Sequence, residues 1–70
     1  MRRVSVTSSV IASVGYSPEH HQLEVEFRTG AVYEYVGVPP DVHERLMAAE
    51  SVGRFFNMEV RDTYPCRRLE

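Results

Sequence analysis

The sequence has little that could form a disulfide, a membrane-spanning segment or a signal peptide. Cys66 is its one cysteine, so no disulfide forms within the chain. A lone thiol, together with the lack of a signal-peptide pattern, predicts a reducing, cytoplasmic location. No apolar run approaches the roughly 20 residues needed to cross a bilayer, so no membrane partner is predicted.

Lysine is also absent: all eight basic residues are arginine, for which genomic codon bias is the simplest explanation. The formal net charge is −2, and the isoelectric point is about 5.9. A domain that gains its affinity mainly from phosphate contacts is usually basic overall. The balance therefore argues against a general nucleic-acid binder, although a local basic patch stays compatible with it.

What is present indicates one small globular domain. The chain has 70 residues, of which 43% are hydrophobic and 26% are charged, and this length leaves room for only one core. We predict a single domain over residues 1–70, with a loose N-terminus at residues 1–8. Leu69 and Glu70 resemble residues left behind by cloning.

The alternation of residues 23–36 predicts a β-hairpin. The side chains that share its apolar face are Leu23, Val25, Phe27, Tyr33 and Tyr35. A three-residue loop that ends at Gly30, in a left-handed conformation, pairs Val25 with Tyr33. This register separates apolar from charged side chains almost completely. Its cost is the repulsion between Glu24 and Glu34, which lie opposite each other on the solvated face.

One more strand and two helices flank the hairpin. The strand is predicted over residues 10–16, with Val10, Ala12, Val14 and Tyr16 on one face and Ile11, Ser13 and Gly15 on the other. Pro40 suits the first turn of a helix. Ser51 is a good N-cap for a second helix, which Pro65 stops. The buried positions of the helices are Val42, Leu46, Val52, Phe56 and Val60.

These elements predict an α+β fold: a three-stranded antiparallel sheet (a meander) covered on one face by two short C-terminal helices. The hairpin register puts the rings of Tyr33 and Tyr35 beneath that helical layer. The tail from Tyr64 onward is expected to lie extended against the sheet.

Spaced motifs run along most of the chain, from about residue 9 to residue 64. They are Ser9-Val10-Ile11, Gly15-Tyr16, Leu23-Glu24-Val25-Glu26-Phe27, Gly30, Tyr33-Glu34-Tyr35, Gly37-Val38-Pro39, Ala49-Glu50-Ser51-Val52-Gly53, Phe55-Phe56-Asn57 and Arg61. Together they resemble the KTSC domain, whose most recognisable element is the central Tyr-x-Tyr. That family is named for its occurrence at the C-terminus of some lysyl-tRNA synthetases, and it also occurs as small stand-alone bacterial proteins. The resemblance implies RNA binding as a suggested role and implies no catalysis.

Tyr33 and Tyr35 have two interpretations. Aromatic side chains on a sheet form stacking platforms for unpaired bases in several RNA-binding modules. Alternatively, both rings are core residues whose hydroxyls reach a polar rim. Because the register puts both rings on the helix-covered face, we favour a structural role for this motif.

Arginines near the C-terminus are the predicted nucleic-acid contact. Arg54 and Arg61 are seven residues apart, which places them on one face of the second helix, and guanidinium groups grip phosphate oxygens in a fork. The simpler alternative is a solvated helix face neutralised by Glu59 and Asp62. The candidate RNA-binding residues are Arg54, Asn57, Arg61, Arg67 and Arg68.

No catalytic, metal or cofactor site is predicted. His20, His21, His43 and Cys66 lack the spacing of metal ligands, and Cys66 has no evident base partner that would make it a nucleophile. The chain is therefore predicted to be a non-enzymatic binding module. Two partner classes stay open: RNA, either tRNA or single-stranded, and a protein partner or second copy that pairs with an exposed hairpin edge.

Overall fold

A computed structural model of the chain describes residues 3–70. Five antiparallel strands follow one another across a single sheet in chain order. They are β1 (Arg3–Ser5), β2 (Ile11–Ser17), β3 (Gln22–Phe27), β4 (Val32–Val36) and β5 (Cys66–Arg68). Between β4 and β5 the chain forms helix α1 (Pro40–Ala48), helix α2 (Val52–Phe55) and a π-helical turn (Phe56–Val60). The α+β class is confirmed, whereas the predicted number of three strands is wrong.

The two additional strands lie at the edges of the sheet. β1 pairs with β2, so part of the segment predicted to be loose is ordered, and Met1 and Arg2 lie outside the described residues. β5 is the C-terminal tail, which was expected to be extended and which pairs with β4. Each edge strand has three residues, too few to show an alternating pattern in the sequence. The pairing continues beyond β5, because the Leu69 N–H donates to the Val32 carbonyl at 2.7 Å.

The predicted register of the central hairpin is confirmed. Val25 lies opposite Tyr33, and Glu24 lies opposite Glu34. Gly30 has a φ of 97°, and its N–H donates to the Phe27 carbonyl at 2.9 Å. Glycine tolerates this left-handed conformation because it has no side chain to clash with the backbone. The turn therefore fixes which face of the sheet each ring occupies.

The first residues of the predicted 10–16 strand have their faces reversed. A β-bulge lies between Ile11 and Ser13, and the extra residue changes the alternation at this point. As a result Ile11 is fully buried, whereas Val10, which was expected on the same face as Val14, is 48% exposed. Val14 lies in the core. No glycine or proline marks the bulge in the sequence.

Both helices cover the same face of the sheet, as predicted. Pro40 begins α1, and the Ser51 hydroxyl caps α2 by accepting the Arg54 N–H at 3.2 Å. The core they close contains Ile11, Val14, Leu23, Val25, Tyr35, Val38, Val42, Leu46, Val52, Phe56 and Val60. Within residues 3–70, no helix is both long and apolar enough to span a membrane.

The second helix widens after Phe55 into the π-helical turn. The Arg61 N–H donates to the Phe56 carbonyl at 2.9 Å, which spans five residues instead of four. One extra residue rotates the following side chains by about 100° around the helix axis. Arg54 and Arg61 therefore point in different directions, although their spacing predicted a shared face.

The face of the sheet opposite the helices carries charges that neutralise one another. Arg3, Gly15, Glu24, Glu34 and Arg67 form one row across the five strands. Arg3 reaches past Gly15, which has no side chain, to contact Glu24 at 2.7 Å. Arg67 contacts Glu34 at 3.1 Å. Glu34, predicted to be solvated, is only 9% exposed, because β5 lies beside it.

Candidate nucleic-acid interface

Four aromatic rings meet where the helical layer ends over β3 and β4. Phe27 makes edge-to-face contacts with Tyr33, at 5.8 Å between ring centroids, and with Phe56, at 5.5 Å. Tyr35 contacts Phe56 in the same way at 5.3 Å. Strand alternation brings the rings of Phe27, Tyr33 and Tyr35 to one face of the sheet, and the π-helical turn supplies Phe56. Edge-to-face packing holds such rings in fixed orientations.

These rings form the wall of an open cleft of about 560 Å³, which we call the aromatic cleft. Its lining residues are Val10, Phe27, Tyr33, Tyr35, Phe56, Asn57, Arg61, Asp62 and Cys66. Tyr35 is 4% exposed and belongs to the core, as predicted. Tyr33 is only partly buried, so its ring lies at the rim of the helical layer and not wholly beneath it.

The floor of the cleft contains a phenol that stays protonated. Burial raises the pKa of Tyr35 to about 12, and the neighbouring Cys66 thiol adds to this rise, while the positive charge of Arg61 opposes it. The Tyr35 hydroxyl is therefore a hydrogen-bond donor at neutral pH.

The candidate residues of the second helix divide between two adjoining clefts. Asn57 and Arg61 line the aromatic cleft, whereas Arg54 lines a neighbouring cleft of about 450 Å³. Asn57 and Val10 line both, so the two clefts adjoin, and we call them together the groove. This division follows from the rotation that the π-helical turn introduces.

The two candidate arginines of β5 occupy opposite faces of the sheet. Arg68 lies in register with Tyr33, on the side of the aromatic cleft, and Arg67 lies in register with Glu34, on the outer face. The Arg68 Nε donates to the Glu70 carbonyl at 3.1 Å. The structure thus brings four of the five candidate residues to the helix side of the sheet and separates Arg67 from them.

Three of these arginines form no direct ion pair with a carboxylate in the described chain. Across the described chain, the carboxylate ion pairs use Arg3, Arg45 and Arg67. Arg54, Arg61 and Arg68 are absent from these pairs, and so are Glu59 and Asp62, which were the expected neutralising partners. A guanidinium without a carboxylate partner attracts anions more strongly than a paired one. The lining of the two clefts contains Arg54 and Arg61 together with Glu50 and Asp62, so its formal charges balance, although these arginines form no direct ion pair within the described residues.

Several residues of the groove were not singled out from the sequence. Phe27 and Phe56 were assigned to the core, although both line the aromatic cleft. Phe27 shares its face with Tyr33 by simple alternation, so the hairpin pattern carried that signal. The position of Val10 at the edge of both clefts depends on the bulge, which the sequence does not mark. No sequence pattern marked Met58 either, although it is 70% exposed and lines the neighbouring cleft.

The histidine in α1 has a packing role. The His43 ring stacks on Tyr16 at 4.4 Å and within 8° of parallel, and burial lowers the pKa of His43. The Tyr16 hydroxyl donates to the Val38 carbonyl at 2.6 Å. These contacts join β2 to the start of α1, on elements separate from β5 and Cys66.

Comparisons with known proteins place the fold in one family. The model of the KTSC domain matches residues 7–64. A crystal structure of a KTSC domain protein from Yersinia pestis superposes with a TM-score of 0.96 at 40% identity, covering 99% of this chain and 97% of that one. An uncharacterised protein of Stutzerimonas stutzeri is 53% identical over 57 residues, covering 81% of this chain and 80% of the relative. A Lysine--tRNA ligase of Nostoc punctiforme is 39% identical over 61 residues, which cover 87% of this chain but 11% of that enzyme.

Proposed function

This chain belongs to the KTSC domain family, and we propose that it is a non-enzymatic module that binds single-stranded RNA in its groove. The observation that carries this proposal is the position of the Tyr33 ring. It is partly buried at the rim of the aromatic cleft, whose lining also contains Arg61, a guanidinium that forms no direct ion pair within the described residues. A ring held by neighbours and open on one side offers a surface for an unpaired base.

Stacking supplies the first part of the binding energy. Phe27 holds the Tyr33 ring in an edge-to-face contact, so the Tyr33 side chain loses little conformational entropy when a base binds. Stacking of a base on an aromatic side chain contributes about 1–3 kcal/mol. Any base can stack in this way, so stacking lets a module recognise RNA because it is single-stranded.

Phosphate contacts supply the second part. Arg61, Arg54 and Arg68 lie on the helix side of the sheet and form no carboxylate pair in the described chain. Their guanidinium groups donate to phosphate oxygens in pairs. With a net charge of −2, the rest of the protein repels a polyanion, so we expect modest affinity that falls steeply as salt rises.

RNA is the preferred partner class for two further reasons. One relative is a Lysine--tRNA ligase, an enzyme whose name includes a tRNA, and it contains a segment similar to this chain. Unpaired bases also fit the half-open rings better than a duplex does, since stacked pairs do not offer their faces.

A protein partner paired with a hairpin edge is the weaker candidate. The edges of the central hairpin are occupied, because β2 pairs with β3 and β5 pairs with β4. The edges left open belong to β1 and β5, which have three residues each. Such short edge strands offer few hydrogen bonds to an incoming strand.

The test is a fluorescence-anisotropy titration with a labelled single-stranded RNA of about nine nucleotides, a length within the usual site sizes of such modules. Between about 50 mM and about 200 mM salt, we expect affinity to fall, and the Arg61→Gln variant to show a slope shallower by about 0.7. Arg67→Gln is the matched control, because it removes the same charge from the outer face. No binding at low salt, or equal losses in both variants, would contradict the proposal.

A further inference from the structure

We infer that the aromatic cleft selects guanine among the four RNA bases, through the carboxylate of Asp62. This inference rests on the proposed RNA binding and names the base that the cleft prefers. It comes from an acidic side chain in a place where a general phosphate-binding surface has no use for one.

Asp62 is exposed and lines the aromatic cleft next to Arg61. Among the described residues, its carboxylate forms no ion pair with Arg61 or with any other cation. A free carboxylate repels phosphate, so its presence weakens any contact that depends on backbone charge alone. In contrast, a base edge that carries N–H groups is attracted to this carboxylate, because the N–H groups donate hydrogen bonds to its oxygens.

The chemistry of a carboxylate distinguishes the bases. Its two oxygens accept two parallel N–H groups, as they do from arginine. On the pairing edge of guanine, the ring N1–H and the exocyclic amino group present two parallel donors. Adenine and cytosine offer one amino group beside an acceptor, and uracil offers one N–H between two carbonyls. Guanine is thus the one base that satisfies both oxygens.

The donors of the cleft suit the remaining edge of the same base. Guanine carries two acceptors, O6 and N7, next to the edge that Asp62 would bind. The side-chain amide of Asn57 lines the same cleft and offers an N–H donor to these acceptors, which leaves Arg61 to contact phosphate. Donors and acceptor together match guanine, while the Tyr33 ring stacks on its face.

The experiment compares four RNA oligonucleotides of about nine nucleotides that are identical uridine tracts except for the central base, which is G, A, C or U. The intact protein should bind the G oligonucleotide about 10-fold more tightly than the other three. Asp62→Asn should reduce this ratio to near one, because an amide accepts at only one atom. Glu59→Gln is the matched control: it removes an exposed acid of the same segment that does not line the cleft.

The ratio between oligonucleotides is the readout, since removing any acid changes overall affinity for RNA. Equal binding of all four oligonucleotides overturns the guanine inference and leaves the proposed RNA binding intact. A preference that survives Asp62→Asn, or one that Glu59→Gln abolishes equally, also overturns it. Failure of the protein to bind any of the four contradicts the proposed function itself.

Discussion

The two faces of the sheet use the same residue type in opposite ways. On the outer face, Arg3 and Arg67 pair with glutamates at 2.7 and 3.1 Å. On the face toward the helices, Arg61 and Arg68 form no carboxylate pair in the described chain, and Arg61 lines a cleft walled by rings. The presence of arginine therefore does not identify a binding surface here. The proposed binding surface is the one where an arginine without a direct ion pair and a partly exposed ring line the same cleft.

Arg67 and Arg68 show how sharply the faces separate. They are adjacent in the sequence, yet strand alternation sends one to Glu34 and the other to the row of Tyr33. Sequence spacing alone places both arginines in the same basic cluster. Strand pairing places only Arg68 on the helix side of the sheet.

The largest effect that sharpens this comparison concerns stability. Phe56 is 3% exposed and contacts Phe27 and Tyr35, so Phe56→Ala should lower the free energy of unfolding by about 3–5 kcal/mol. Met58→Ala is the control in the same turn, since Met58 is 70% exposed and should change stability by at most about 0.5 kcal/mol. Urea unfolding measures both. Similar small losses would show that the wall of the cleft is not part of the core.

The next effect concerns RNA binding. Tyr33→Ala should weaken the affinity for single-stranded RNA by about 1–3 kcal/mol, because it removes the exposed stacking surface. Tyr33→Phe keeps the ring and should bind nearly as the intact protein does. Isothermal titration calorimetry at one salt concentration distinguishes the two variants. An unchanged affinity in Tyr33→Ala would remove this ring from the interface.

A smaller effect tests whether the outer charges are paired in solution. The Arg67 side chain is 71% exposed and that of Glu34 is 12% exposed, so screening limits what their contact contributes. A double-mutant cycle of Arg67→Gln and Glu34→Gln should give a coupling energy of about 0.5–1 kcal/mol in the free energy of unfolding. The coupling should shrink as salt is raised. No coupling at low salt would mean that the outer face does not neutralise its own charges.

The smallest effect at neutral pH concerns the cleft floor. The pKa of Tyr35 is raised by burial to about 12, against about 10 in the unfolded chain. The folded state therefore holds this proton more tightly, so the resulting stability is complete below about pH 10 and is lost as pH rises toward about 12. Tyr35→Phe should flatten that alkaline decline. A decline of equal steepness in Tyr35→Phe would contradict the burial of the hydroxyl.

The elements with long patterns were predictable from sequence. The alternation over residues 23–36 and the left-handed Gly30 fixed the hairpin register that the structure contains. Ser51 marked the start of α2, and the Tyr-x-Tyr motif identified the family. In each case, the local signal and the tertiary packing favour the same structure.

The features that sequence reasoning missed depend on contacts between distant segments. β1 and β5 are too short to show alternation, and they form because β2 and β4 offer open edges. The bulge after Ile11 and the π-helical turn after Phe55 each shift the phase by one residue. Neither has a turn residue to announce it. Those two shifts expose Val10 and separate Arg54 from Arg61, so they decide the shape of the groove.

The most direct test of the account follows arginine and aromatic side-chain signals by NMR as single-stranded RNA is added. The account predicts that the Nε–H signal of Arg61 and the ring signals of Tyr33 shift progressively, while the Nε–H signals of Arg3 and Arg67 stay in place. Shifts at Arg3 and Arg67 with Arg61 and Tyr33 unmoved would contradict it, because binding would then occur on the face whose charges are already paired.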